Sequence, residues 1–132
     1  MRSACRLTKR WTRAALAVAL FTSTGIADQP SCAKQPSLVG ACFAVHGRLS
    51  LYNGNPSARI WKIGTKRMLG ITESRCIEPD CSQMPPELRE MLSWEDAVIG
   101  DFLVCPFTEA KQEHMQFVCV EAAKNLRVHK LK

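Results

Sequence analysis

No apolar run in this chain approaches the roughly 20 residues that a bilayer-spanning helix needs; residues 14–21 form a run of eight and then stop. No Cys-x-x-Cys occurs, so the redox motif of thiol–disulfide oxidoreductases is missing, and with it a common zinc-ligand spacing. His46, His114 and His129 share no metal-ligand spacing among themselves. No Gly-x-Ser-x-Gly elbow marks a serine nucleophile, no segment repeats, and no second domain boundary is visible. These absences set aside helical membrane proteins, dithiol enzymes, zinc modules and the commonest hydrolase signature. A small single domain remains, for which no metal and no cofactor are expected.

The amino terminus reads as an export signal. Arg2, Arg6, Lys9, Arg10 and Arg13 precede the apolar run at 14–21 with no acid among them, and Gly25 and Ala27 stand just before Asp28. Basic, apolar and small-residue segments in that order suit signal peptidase. Residues 1–27 are therefore expected to be removed, and 28–132 to form one exported domain, periplasmic or secreted. Arg10 and Arg13 are not a twin-arginine pair. Cys32 follows polar residues, which does not fit a lipid-anchored cysteine.

Removing that leader changes the charge argument. The net charge is +6, but the leader holds five of the 18 basic residues, and the 13 that remain face 12 acids. The basic balance is thus no sign of nucleic-acid binding. What remains is segregated. Arg48, Arg59, Lys62, Lys66, Arg67 and Arg75 are opposed only by Glu73; residues 76–123 carry ten acids against Arg89 and Lys111; Lys124, Arg127, Lys130 and Lys132 follow. Such blocks are either complementary solvated faces or a binding patch.

Cys5 leaves with the leader, and Cys32, Cys42, Cys76, Cys81, Cys105 and Cys119 remain. An even set in a small exported domain implies up to three disulfides. A domain of about 105 residues hides only about two-thirds of its unfolded surface, and each cross-link adds roughly 2–4 kcal/mol. The preferred pairing joins sequence neighbours: Cys32–Cys42, Cys76–Cys81 and Cys105–Cys119. Pairings that join Cys42 to a later strand stay open.

Residues 28–36 read as an irregular lead-in. From 42 to 52 the chain alternates, with Phe43, Val45, Gly47, Leu49 and Leu51 on one side and His46, Arg48, Ser50 and Tyr52 on the other. That period of two marks a half-buried strand, and Gly47 on its apolar side suits a bulge or sharp coiling. Asn53-Gly54-Asn55-Pro56 is a turn. Strands at 57–63 and 66–72 follow, separated by Gly64-Thr65, with their inward faces left open. Residues 74–86 are loop. Pro86 and Glu87 suit a helix start, and Leu88, Met91 and Leu92 would be the buried stripe of a helix over 86–92. Residues 97–107 are apolar on both faces, as a central or barrel-closing strand would be, with Asp101 as the interruption. After a charged connector at 108–113, residues 115–121 form a fifth strand, which Leu126 and Val128 either extend or follow as a sixth.

The expected fold is mainly β: a small five- to six-stranded barrel, disulfide-stabilised, in the order three strands, short helix, two strands. That order resembles the OB-fold, and Gly47 and Gly100 suit the coiling such barrels need. Another small β-barrel or sandwich fits nearly as well, and fold does not fix function.

Arg48, Tyr52, Arg59, Trp61, Lys62, Lys66 and Arg67 cluster around two turns. Arginine beside an aromatic ring can hold anionic or sugar ligands; the plainer alternative buries Trp61 in the core and leaves the cations to solvent. His46 and Asp101 would supply a base and its orienting carboxylate, yet nothing local brings them together. A carboxylate on an apolar strand asks for a partner, for which Arg48, Arg59 and Arg67 are the candidates. Glu95-Asp96 reads as the end of a turn. The functional expectation is an exported, non-enzymatic binding or accessory module for an anionic polymer, a glycan or an acidic protein surface. The alternatives are a small hydrolase-like enzyme using His46 and Asp101, or an inhibitory subunit of a protein partner.

Overall fold

Alternating apolar residues along five strands draw one sheet into a closed ring. The computed structural model describes residues 31–72 and 83–132. Its elements are a 3-10 turn (Cys32–Lys34), β1 (Phe43–Leu51), β2 (Ala58–Lys62), β3 (Met68–Ile71), α1 (Pro86–Met91), β4 (Asp96–Pro106) and β5 (Gln116–Lys130). The strands run in the order β1-β2-β3-β5-β4, and β4 pairs back onto β1. All pairings are antiparallel except β3 with β5. Leu126 and Val128 extend the fifth strand and do not begin a sixth. The 1–27 segment, Cys76, Cys81 and most of the expected 74–86 loop lie outside the described residues.

The core fills the inside of the ring. Val45 and Leu49 come from β1, Val98, Phe102 and Val104 from β4, and Val118 and Val120 from β5. Ala58 and Ile60, with Leu69 and Ile71, settle the inward faces of β2 and β3. Leu88 of α1 is buried against this core, and Met91 and Leu92 pack beside it. β4 has strands on both sides, as its two apolar faces require.

Gly47 and Gly100 face each other across β1 and β4. A Cβ on Gly47 would lie 2.4 Å from Ile60 Cγ2 and 3.0 Å from the Trp61 carbonyl oxygen, so no side chain fits where β2 crowds β1. The register slips between Ile99 and Asp101 and again between Leu103 and Val104, so the irregularities lie on β4, one of them at Gly100, and not at Gly47.

The disulfides correct the neighbour pairing. Cys32 bonds Cys119, and Cys42 bonds Cys105. Cys105 has a cysteine on each side: Cys119 in register on β5, and Cys42 one residue before the Phe43–Val104 pair of β1 and β4. Strand geometry chooses between them. The Phe107 N–H donates to the Phe117 carbonyl at 2.8 Å, so the Cys105–Cys119 pair, two residues along, is also of the hydrogen-bonded class. Such pairs hold their Cα atoms about 5.5 Å apart, and the non-hydrogen-bonded pairs sit closer. Toward β1, Cys105 presents the closer class, and its Cα lies 4.0 Å from that of Cys42. Cys119 is left for Cys32 on the 3-10 turn. Glu121 fastens that turn, accepting hydrogen bonds from Ser31 Oγ at 2.6 Å and from the Ala33 N–H at 2.7 Å. Two such cross-links place the folded domain in an oxidising, extracellular-type environment. No helix among the described residues is long and apolar enough to cross a membrane.

Candidate functional site

Strand alternation decides which side chains face out. With Leu49 and Ile60 inward, Arg48 and Ser50 of β1 and Arg59 and Trp61 of β2 turn to the outside of the ring. Trp61 is therefore not a core residue. The register sets Arg48 opposite Trp61 and Ser50 opposite Arg59, at a spacing where cross-strand side chains touch. The Arg48 guanidinium carbon stands 5.1 Å from the centroid of the Trp61 ring, and that of Arg59 5.2 Å from the centroid of Tyr52. Both distances fall within cation–π range.

The loops hold these side chains in place. Trp61 Nε1–H donates to the Thr65 carbonyl at 2.7 Å, which pins the indole over the β2–β3 turn. Arg59 Nε donates to the Pro56 carbonyl at 2.9 Å. Gly54, at a φ of 111°, lets the β1–β2 turn close on the same guanidinium: a Cβ there would lie 3.2 Å from Arg59 Nη2. A residue with a side chain rarely adopts such a φ.

The other three cations of the expected cluster lie elsewhere. Lys62 and Arg67 line a cleft of about 450 Å³ at one end of the ring, over Phe43 and Leu69 and beside Lys111. Arg67 Nη1 donates to the Lys111 carbonyl at 2.8 Å, tying the β2–β3 turn to the β4–β5 loop. Lys66 is exposed in the turn. The basic stretch thus divides into a stacked outer face and an end cleft.

His46 and Asp101, distant in sequence, are register partners on β1 and β4. His46 Nδ1 lies 2.8 Å from Asp101 Oδ1, and Asn125 Nδ2 donates to Asp101 Oδ2 at 2.8 Å. The described partners of Asp101 are therefore a histidine and an asparagine, not the arginines expected from sequence. It faces outward, so the pairing does not have to neutralise a deeply buried charge. The hydrogen bond from Asn125, then that from His46, hold the Asp101 carboxyl below its ordinary value, helped by the charges of His46 and Lys124. Asn125 carried no signal in the sequence; it reaches Asp101 from a left-handed position, φ 55°, beside the β4 register shift. The pair is open to water, with side chains 55% and 35% exposed. An imidazole so oriented can exchange a proton at Nε2. No hydroxyl or thiol nucleophile is among its described partners.

Glu95 and Asp96 close a turn, as expected: Ser93 Oγ donates to Asp96 Oδ2 at 3.0 Å and accepts the Glu95 N–H at 3.2 Å. The sulfurs of Cys32, Cys105 and Cys119 come within 4.8 Å of one another, but each is spent in a disulfide and offers no thiolate to a metal. Comparison with protein-family models, with curated proteins and with solved structures finds no match to this chain.

Proposed function

We propose that this protein is an exported, non-enzymatic binding module that takes an anionic glycan on the outer face of β1 and β2. The observation that carries the reading is the pair of arginine–aromatic stacks on that face, Arg48 on Trp61 and Arg59 on Tyr52. Guanidinium groups match the planar fork of an oxyanion, and an aromatic ring beside them offers a flat apolar surface to a sugar. The order of three strands, helix and two strands supports an OB-like barrel, whose usual ligand surface includes the second strand and the first turn, both of which border this face. The basic, apolar and small-residue blocks of 1–27 support export to the periplasm or exterior with cleavage before Asp28, in keeping with the disulfides.

The test is a double substitution, Arg59→Ala with Trp61→Ala, assayed by retention on immobilised acidic polysaccharide. Retention is expected to fall at least tenfold while the circular dichroism spectrum and urea midpoint stay close to wild type. Equal retention by the variant defeats the reading.

The 2.8 Å contact between His46 and Asp101 favours a second reading, a small hydrolase with this pair as base and orienter. It requires wild-type turnover of an ester or glycoside panel that His46→Ala abolishes. Turnover that survives that substitution removes it.

A further inference from the structure

Two polar atoms on the β1–β2 face are buried and lack a hydrogen-bond partner among the described residues: Ser50 Oγ and Arg48 Nε. Ser50 is only 3% exposed, although its place between Leu49 and Leu51 turns it away from the core. Buried polar groups in folded proteins are nearly always paired, and one left without a partner is destabilising. Here two such atoms belong to residues two apart on the same face of one strand, a backbone spacing of roughly 6–7 Å. Ser50 also stands opposite Arg59 in register and two residues from Arg48 on the same face. Among the described ion pairs neither arginine meets a carboxylate. The rings of Trp61 and Tyr52 occupy the place an acid would otherwise take.

We infer that this is the seat of an oxyanion, a carboxylate or a phosphate carried by the saccharide ligand, with Ser50 Oγ and the Arg48 Nε–H as its donors at the base and Arg59 as a second cationic contact. The inference rests on the binding-face reading and deepens it. The stacks hold the arginines ready without neutralising them, because a ring's π-face attracts a cation but carries no net charge to cancel it. Admitting the oxyanion requires the two arginines to part. Among the described residues, Arg48 is restrained by its stacking and Arg59 by stacking and a hydrogen bond to Pro56. Once seated, the oxyanion satisfies both stranded atoms together. A neutral sugar is a poorer match, since its hydroxyls can accept these hydrogen bonds but carry no charge for the two guanidiniums.

Ser50→Ala separates this role from a structural one. Removing an unpaired buried hydroxyl leaves stability unchanged or raises it, whereas removing a ligand donor weakens binding. Wild type and variants are titrated with polygalacturonate, inorganic polyphosphate and neutral dextran, and urea midpoints are measured alongside. Wild type is expected to bind at least one charged polymer and not dextran; the charged polymer it prefers identifies carboxylate or phosphate as the source. Ser50→Ala is expected to bind that polymer about tenfold more weakly with an unchanged or higher midpoint. Arg48→Lys, which keeps the charge but removes the Nε–H, is expected to show a similar loss. Wild-type affinity in both variants overturns the inference, as does a lowered midpoint in Ser50→Ala, which would make the hydroxyl structural. If only the Arg59→Ala, Trp61→Ala double variant loses binding, the face is a binding surface without this seat. If wild type binds neither charged polymer, both readings fall.

Discussion

Asp101 is held at both carboxylate oxygens, with His46 Nδ1 2.8 Å from Oδ1 and Asn125 Nδ2 donating to Oδ2 at 2.8 Å. A carboxylate on an otherwise apolar strand was visible in the sequence as an anomaly, and its need for partners followed from that. Their identity did not, because His46 and Asn125 reach it through a strand pairing and a backbone irregularity that no local pattern encodes. Ser50 was hidden for the opposite reason, since a serine on the outer side of a strand is ordinary until its hydroxyl proves to be buried. The Asp101 contacts have a consequence for pH. Its carboxyl titrates lower in the folded protein than in the unfolded chain, so the unfolded state binds the proton first as pH falls. The stabilisation is complete above the unfolded carboxylate value, near pH 4, and is lost as pH drops through the folded value. Asp101→Asn has no such dependence at this position. Urea midpoints measured from pH 6 to pH 2 should therefore fall more steeply for wild type than for Asp101→Asn, most of the difference arising below about pH 4. Parallel curves would show that the hydrogen bonds to Asp101 do not favour its charged form.

At the scale of elements, the strands were the most legible part of the fold. The period of two in β1 placed Val45 and Leu49 inside and Arg48 outside, as observed. β2 and β3 were harder to read, being only five and four residues long, too short for alternation to declare a face. A cluster of cations and aromatics was legible from residue type and proximity, but not which arginine stacks on which ring. The separation of the stacked arginines from Lys62 and Arg67 was not legible either, since that depends on which way each strand turns and on where the β4–β5 loop lies. Gly47 marks a tighter constraint than its sequence position suggested. With Ile60 Cγ2 2.4 Å and the Trp61 carbonyl 3.0 Å from any added Cβ, Gly47→Ala must push β1 away from β2 at the root of the stacked face. Overpacking of this kind is destabilising by roughly 1–3 kcal/mol. A urea midpoint lowered by a corresponding amount is expected, with weakened ligand retention because the Arg48–Trp61 register moves with it. An unchanged midpoint would mean that the two strands do not approach this closely.

For the whole molecule, the decisive step is closing a long chain into a ring. β1 and β4 lie far apart in sequence, and their seam completes the sheet; Cys42 and Cys105 join them across 63 residues. Cys32 and Cys119 span 87 residues and fix the leading segment to β5. Joining distant residues restricts the unfolded chain more than a short loop does, and for spans like these the chain-entropy estimate is about 4–5 kcal/mol per bond, with typical measured values of roughly 2–4 kcal/mol. The sequence made cross-linking clear from the even cysteine set, but not its pattern. Cys105 has candidates on both flanks, and only the alternation of close and wide pairs along the antiparallel ladder selects Cys42. That selection is directly checkable. Peptide mapping of the non-reduced protein should recover Cys42 joined to Cys105 and Cys32 joined to Cys119; a peptide joining Cys105 to Cys119 would refute the ladder argument. Replacing Cys42 and Cys105 together by serine should lower stability by about 2–4 kcal/mol, and reductant should then lower it further by opening the Cys32–Cys119 bond. If reductant leaves the wild-type urea midpoint unmoved, the ring is held by its apolar interior alone.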